Sequence, residues 1–178
     1  VVKKIIFIYL ALTFFLFFLY SINGMSLFDA LAHSFTTIST GGFSTHNESF
    51  GYFQSNSILL VAIIFMIIGS FPFLVLAQIN LKNINSVFKD QQVKVFLLIL
   101  ILSIVIIYFF AEKYLFGSFL DKVLVISFNT ISIISGTGYI SENFENWGNY
   151  ASVLFLLLMF IGGCAGSTTG GLKIFRFQ

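Results

Sequence analysis

Apolar runs of two lengths alternate along the chain, separated by short polar segments. Two shorter runs, at residues 26–38 and 119–134, end in Ser, Thr and Gly and are typical of re-entrant segments. The longer runs can each cross a bilayer as a helix, which takes about 20 residues. They occupy residues 5–22, 57–79, 95–111 and a stretch that starts near residue 151 and becomes glycine-rich at residue 162. The pattern predicts an all-α membrane protein in contact with lipid, with four spans and two half-spans.

The two halves of this pattern also match in sequence. Residues 34–39 (SFTTIS) pair with residues 127–132 (SFNTIS) at a separation of 93, whereas the Gly-aromatic pairs that begin at Gly42 and Gly138 are separated by 96. The second copy therefore carries three extra residues in this region. We predict two membrane repeats, each with a spanning helix (M1), a pore helix, a re-entrant loop and a second spanning helix (M2). The predicted repeats are residues 1–90 and 91–178.

The few charged residues indicate the orientation. Only 9% of the residues are charged, whereas a soluble domain has about 25%. Cytoplasmic ends of membrane helices collect Lys and Arg, and six of the seven acidic residues fall on the opposite predicted side. We therefore expect a multi-pass membrane protein, with both ends of this segment in the cytoplasm. Seven of the nine basic residues fall on that side: Lys3, Lys4, Lys82, Lys89, Lys94, Lys173 and Arg176.

Other classes of function find little support in the sequence. The net charge of +2 is small and dispersed, which argues against nucleic-acid binding. No cluster of acid, base and nucleophile falls at membrane depth, and no cofactor motif is present, so we expect neither an enzyme nor a cofactor. His33 and His46 have no further ligand cluster beside them in the sequence, so we expect no metal site at these histidines.

The loops after the half-spans carry the candidate chemistry. They read ISTGGFST from residue 38 and ISGTGYIS from residue 134. The carboxyl end of each half-span would point toward the membrane centre with about half a negative charge, which stabilises a cation. Glycine permits positive φ angles that can turn carbonyls toward one axis, and rings of carbonyls replace the hydration shell of potassium. We interpret the pair as an ion filter, with ordinary polar turns as the alternative.

A second informative stretch follows the fourth apolar run. Residues 162–171 contain five glycines and three hydroxyl residues, and each Gly costs a helix about 1 kcal/mol relative to Ala. A broken helix at membrane depth is tolerated where protein or a water-filled cavity covers it. We predict a flexible loop below the filter. The alternative is close helix packing through small residues spaced four apart.

Two long segments resemble a known family. Residues 28–47 (FDALAHSFTTISTGGFSTHN) and 160–176 (FIGGCAGSTTGGLKIFR) are similar to the second filter repeat and the third-repeat gating loop of TrkH-type potassium uptake proteins, in the Trk/Ktr/HKT superfamily. The resemblance covers essentially the whole chain. It implies four repeats around one pore, of which this chain supplies half, a homodimer, and a cytoplasmic nucleotide-binding regulatory ring of the TrkA type. Potassium is then the transported species, and the cell (inner) membrane is the expected location.

The resemblance also implies roles for particular residues. Potassium would be coordinated at Thr40, Gly41, Gly42, Gly136, Thr137 and Gly138. The gating loop would comprise Gly162, Gly163, Gly166, Ser167, Thr168, Thr169, Gly170 and Gly171, followed by a cytoplasmic basic end at Lys173 and Arg176.

The sequence departs from the family pattern in two ways. The second loop reads SGTGY at residues 135–139, where a Thr-rich run that ends in Gly-Phe is commoner. In addition, nothing in the chain corresponds to the first and fourth repeats or to the pore-facing arginine of the fourth. We therefore expect a fragment, or the ordered middle, of a longer protein. The alternative function is a non-conducting assembly module or a truncated paralogue.

Overall fold

The computed structural model describes residues 1–78 and 84–178, which are helical apart from turns, loops and one isolated β-bridge. The α-helices are α1 (Val2–Ile22), α2 (Leu27–Ile38), α3 (Asn56–Gly69), α4 (Phe73–Leu76), α5 (Gln91–Ala111), α6 (Phe119–Ile134), α7 (Asn149–Leu158) and α8 (Ile174–Phe177). Short 3₁₀ turns lie at Ser49–Phe53, Ile84–Lys89, Glu112–Tyr114 and Phe144–Trp147.

Helices α1 and α5 match the first and third predicted spans. Helix α1 and the helical segment Gln91–Tyr114 are long and apolar enough to cross a membrane, with mean hydropathies of 2.5 and 2.9. Only 17% and 22% of these apolar windows are buried within the described protein. The remaining apolar surface of both helices therefore needs lipid or further protein to cover it.

The second predicted span, residues 57–79, is wrong as a continuous helix. Helix α3 ends at Gly69, and a separate short turn, α4, begins at Phe73. Between them Pro72 has no backbone N–H to continue the helical hydrogen bonds, and its ring disfavours the helical conformation for the preceding residue. The predicted end of this span at residue 79, and Lys82 of the basic set, lie outside the described residues.

Helices α2 and α6, here called the half-helices, have the predicted bounds. The hydroxyls of Ser26 and Ser118 accept hydrogen bonds from the amides of Asp29 and Asp121 at 3.1 and 3.3 Å, which caps each first turn. Helix α6 has 16 residues and α2 has 12. The second half-helix is therefore about one turn longer than the first.

The packing of the helices is alike in the two halves. Helices α1, α2 and α3 contact one another, and so do α5, α6 and α7. The halves are joined where α3 packs along α6, with the Asn56 amide donating to Asp121 at 2.9 Å at one end of this contact. Each half-helix is thus packed against the two other main helices of its half, although the division into repeats at residue 90 stays a prediction.

Candidate ion pathway

Two loops leave the half-helices and run against each other; we call residues 39–45 and 135–141 the filter loops. The first residue after each helical cap is left-handed, with φ of 50° at Thr40 and 69° at Gly136. Two residues later Gly42 and Gly138 are left-handed again, with φ of 73° and 85°. The two loops therefore share a backbone pattern that neither a helix nor a strand would give.

The filter loops approach closely at Gly42. A Cβ built on Gly42 would lie 1.8 Å from the carbonyl oxygen of Thr137, whereas no described atom lies within 4 Å of a Cβ built on Gly138. Thr40 and Thr137 are buried. The structure thus brings the predicted filter residues of both loops together, and only glycine fits where they meet.

Hydroxyl groups of the half-helices hold the filter loops in equivalent ways. Thr36 Oγ1 donates to the carbonyl of Phe43 at 2.9 Å. Ser132 Oγ donates to the carbonyl of Tyr139 at 2.8 Å. Donor and acceptor in the second half each lie 96 positions after those in the first. Each half-helix therefore fastens the loop that follows it.

A second pair of polar side chains on the half-helices contacts serine residues near the end of each filter loop. His33 Nε2 lies 2.9 Å from Ser44 Oγ, and the Asn129 amide donates to Ser141 Oγ at 2.8 Å. Sequence reasoning treated His33 only as a weak metal-ligand candidate and missed Asn129. One sequence signal could have identified both residues. His33 and Asn129 each precede the hydroxyl residue that binds the filter loop by three positions, on a helix that is otherwise largely apolar.

The sequence alignment of residues 34–39 with residues 127–132 at a separation of 93 is wrong for the structure. The left-handed residues and the fastening hydroxyls correspond at a separation of 96 throughout this region. The filter loops follow the carboxyl ends of the two half-helices in the same way. The extra turn of α6 therefore lies nearer its amino end, before the matched segment.

The mouth at the far end of the filter loops is acidic. A cavity of about 520 Å³ lies between the segments that follow the two loops, and Glu48, Glu142 and Glu145 line it. Burial raises the pKa of the Glu142 carboxyl above its ordinary value. In the part of the chain that the structure describes, no three His, Cys, Asp or Glu side chains are grouped to hold a metal ion.

The glycine-rich stretch, here called the intramembrane loop (residues 162–171), lies at the opposite end of the filter loops. Its base is closed by backbone hydrogen bonds, from Gly162 to Leu172 at 2.8 Å and from Leu172 to Phe160 at 3.0 Å. Farther along, Thr168 Oγ1 donates to the carbonyl of Ile38, the last residue of α2, at 2.9 Å. The two ends of the loop are therefore held together, and the loop contacts the carboxyl end of a half-helix.

The intramembrane loop also reaches the second filter loop. A Cβ built on Gly136 would lie 3.5 Å from the amide nitrogen of Gly170. Thr169 is buried, and its hydroxyl accepts from the amide of Gly163 at 3.0 Å. The predicted loop residues thus come together across both filter loops, on the side where the half-helices end.

The break in the second span is what docks the intramembrane loop. The amide of Cys164 donates to the carbonyl of Ser70 at 3.0 Å, and the amide of Phe73 donates to the carbonyl of Gly166 at 3.0 Å. Thr168 Oγ1 also donates to the carbonyl of Gly69 at 3.0 Å. The alternative of helix packing through small residues is wrong here, because the loop is not helical and its glycines permit close loop contacts instead.

The two predicted basic residues behave differently. The Lys173 ammonium donates to the carbonyl and to the hydroxyl of Thr169, the latter at 3.0 Å, so it folds back onto the loop. Arg176 lies in α8 and is exposed. Of the predicted basic end, only Arg176 is therefore freely presented at the surface.

Comparison with known proteins places this arrangement in context. The TrkH family model, described as "Cation transport protein", matches residues 1–178. The chain is 36% identical over 178 residues to the Trk system potassium uptake protein TrkH of Vibrio parahaemolyticus, covering 98% of the chain and 37% of that protein. It is 38% identical over 160 residues to the Trk system potassium uptake protein TrkI of Halomonas elongata, covering 89% of the chain and 32% of that protein.

A solved structure agrees closely with the fold. The crystal structure of the potassium transporter TrkH from Vibrio parahaemolyticus matches with a TM-score of 0.92 at 35% identity, covering 98% of this chain and 38% of that one. The chain thus spans about a third of the length of the relatives that it matches.

Proposed function

Since the chain belongs to the TrkH family of cation transport proteins, we propose that it forms half of a potassium uptake pore, to which residues 1–90 and 91–178 each contribute one filter loop. The observation that carries this proposal is the close apposition of two loops with the same alternating left-handed residues. The remaining repeats of the same chain would complete the pore, and lipid would surround it. A pseudo-symmetric pair of this kind suits an ion that passes along the axis between repeats.

Neutral oxygens do the coordinating in this proposal. The ion-binding positions are Thr40, Gly41, Gly42, Gly136, Thr137 and Gly138, which supply backbone carbonyl and hydroxyl oxygens. Carboxylates, which calcium sites favour, occur at the mouth and not among these positions. Carbonyl dipoles replace the hydration shell of potassium, and the carboxyl ends of both half-helices add negative potential.

The intramembrane loop acts as the gate in this proposal. It lies next to the carboxyl ends of the half-helices, where the filter loops begin. The hydroxyl of Thr168 holds it there through the carbonyls of Ile38 and Gly69. A few kcal/mol of differential contact is enough to shift such a two-state element. We place the source of that energy in a cytoplasmic TrkA-type nucleotide-binding ring that acts on the end of the segment at Lys173 and Arg176, in a homodimeric protein.

The direct test is ion flux through the full-length protein that contains this segment. Purified protein in proteoliposomes with a potassium gradient is expected to give potassium flux well above that of empty vesicles. Sodium flux, measured in the same way, is expected to be at least about tenfold lower than potassium flux. Vesicles with a large organic cation in place of potassium serve as the control. Well-folded protein that conducts neither ion would contradict the proposal and favour the non-conducting assembly module.

The proposed orientation has its own test. Single cysteines that replace Glu48 and Glu142 are expected to react with a membrane-impermeant thiol reagent added to intact cells, because both residues line the cavity at the mouth. A cysteine that replaces Lys89 is expected to react only after the membrane is opened. The native cysteine, Cys164, is buried. It is replaced by Ala in all three variants so that only the introduced cysteine can react. Labelling of position 89 but not 48 or 142 in intact cells would reverse the orientation.

A further inference from the structure

Tyr139 extends from the second filter loop into the first half of the protein. Its side chain is only 1% exposed. The hydroxyl is hydrogen-bonded to Thr36 Oγ1 and lies 3.1 Å from Thr37 Oγ1, both on α2. The hydroxyl also lies 3.4 Å from the carbonyl oxygen of His33. One hydroxyl group thus joins the second filter loop to the half-helix that leads into the first filter loop.

The contact extends beyond the two filter loops. Tyr20 of α1 places its hydroxyl 3.0 Å from Thr37 Oγ1, so Thr37 lies between two buried tyrosines. The ring of Tyr139 packs on Phe50, with 4.4 Å between ring centroids. Removing only the hydroxyl of Tyr139 would therefore leave the apolar packing of the ring in place.

The first filter loop has no matching group. Phe43 occupies the position that lies 96 residues before Tyr139, and its side chain is 77% exposed. Phenylalanine has no hydroxyl, so it cannot make the bond that Tyr139 makes. The tyrosine that ends the second loop's departure from the family pattern therefore makes a hydrogen-bonded contact between the two halves.

We propose that Tyr139 is a positioning residue for ion selection. This inference rests on the proposed filter function. Tyr139 fixes the spacing between the filter loops, because it ties one loop to the helix whose end carries the other. Binding sites need their ligand atoms held within about 0.5 Å by such supporting contacts. A looser pair of loops can adjust its oxygens to a smaller ion, so discrimination against sodium falls while the path for potassium stays open.

The test is Tyr139→Phe in the full-length protein, with the potassium-to-sodium permeability ratio measured in proteoliposomes. The ratio is expected to fall about three- to tenfold, the range that corresponds to the loss of a hydrogen bond. Potassium flux per folded molecule should stay within about twofold of the unmodified protein. Tyr150→Phe removes a hydroxyl from an exposed tyrosine and is the matched control, with no expected change in the ratio.

The partner hydroxyl provides an independent arm. Thr37→Val keeps the side-chain shape and removes the hydroxyl, so it should lower the ratio as Tyr139→Phe does, whereas Thr37→Ser should preserve it. The double variant of Tyr139→Phe with Thr37→Val should lose less than the sum of the two single variants, because both remove the contact between Tyr139 and Thr37.

The outcomes separate this inference from the filter itself. An unchanged ratio in folded Tyr139→Phe and Thr37→Val proteins would overturn the positioning role and leave the filter standing if Gly42→Ala is inactive. Full activity of Gly42→Ala would overturn the filter, and the positioning role with it. A fall in both Thr37→Val and Thr37→Ser would show that the shape of the side chain matters and not its hydroxyl, and would also overturn the inference.

Discussion

Gly42→Ala in the full-length protein is expected to lower potassium uptake about a hundredfold or more without loss of expression. The added Cβ would lie 1.8 Å from the carbonyl oxygen of Thr137, so one filter loop must move away from the other. The φ of 73° adds about 1–2 kcal/mol of strain for a residue with a side chain. Each 1.4 kcal/mol is worth a factor of ten, so displacement and strain together are sufficient for this loss.

Two other glycines separate crowding from strain. Gly138 has a φ of 85°, and no described atom lies within 4 Å of a Cβ built on it. Gly138→Ala is therefore expected to lower potassium uptake by less, about tenfold. Gly24→Ala meets the same two conditions, with φ of 102°, but lies in the exposed turn between α1 and α2. It should leave uptake per folded molecule unchanged. Growth at limiting potassium and flux in proteoliposomes measure all three, and ordinary uptake by Gly42→Ala would refute the filter assignment.

Deleting residues 166–169 is expected to raise basal potassium flux about tenfold and to weaken its dependence on a cytoplasmic partner. The deletion removes Thr168, whose hydroxyl donates to the carbonyls of Ile38 and Gly69. The one hydroxyl proton of Thr168 is shared between these carbonyls and counts as about one hydrogen bond of 0.5–1.5 kcal/mol. The deletion also removes the backbone bonds from the Thr168 amide to the Gly69 carbonyl and from the Phe73 amide to the Gly166 carbonyl. Their combined loss shifts the intramembrane loop toward open positions. Flux per folded molecule, with and without the regulatory ring, is the measurement.

A gentler variant guards against misfolding. Thr168→Val keeps the length and the backbone hydrogen bonds of the intramembrane loop and removes only the hydroxyl contact, so it should give a smaller rise in flux, about threefold. If the loop only supports the fold, both variants should yield less folded protein and no leak. Unchanged or reduced flux per folded molecule in both would end the gating proposal.

The half-helices could be predicted from the sequence because their signals are local. Ser26 and Ser118 each precede an aspartate by three residues, the spacing of a capping box. The apolar run then stops at Ser and Gly in both copies, which fixed the carboxyl ends. The intramembrane loop was predictable for a similar reason, because residues 162–171 are too rich in glycine to form a stable helix.

Features that depend on distant partners could not be predicted in this way. The apolar run at residues 57–79 hides a break whose free backbone groups are satisfied by the distant intramembrane loop, as where the amide of Cys164 donates to the carbonyl of Ser70. The single proline, Pro72, was the one local sign of it. Likewise, residue similarity favoured a separation of 93 between the repeats, whereas the hydrogen bonds of Thr36 and Ser132 follow a separation of 96.

The packing of α3 along α6 has a consequence for synthesis of the protein. Helix α6 begins 50 residues after α3 ends at Gly69. At translation rates of about 5–20 residues per second, α3 is made roughly 3–10 s before the surface that it packs against. During that interval the inner face of α3, including Asn56, lacks the partner it later finds at Asp121. Membrane insertion of the first half must therefore tolerate an unfinished face, and final docking of α3 awaits the second half-helix.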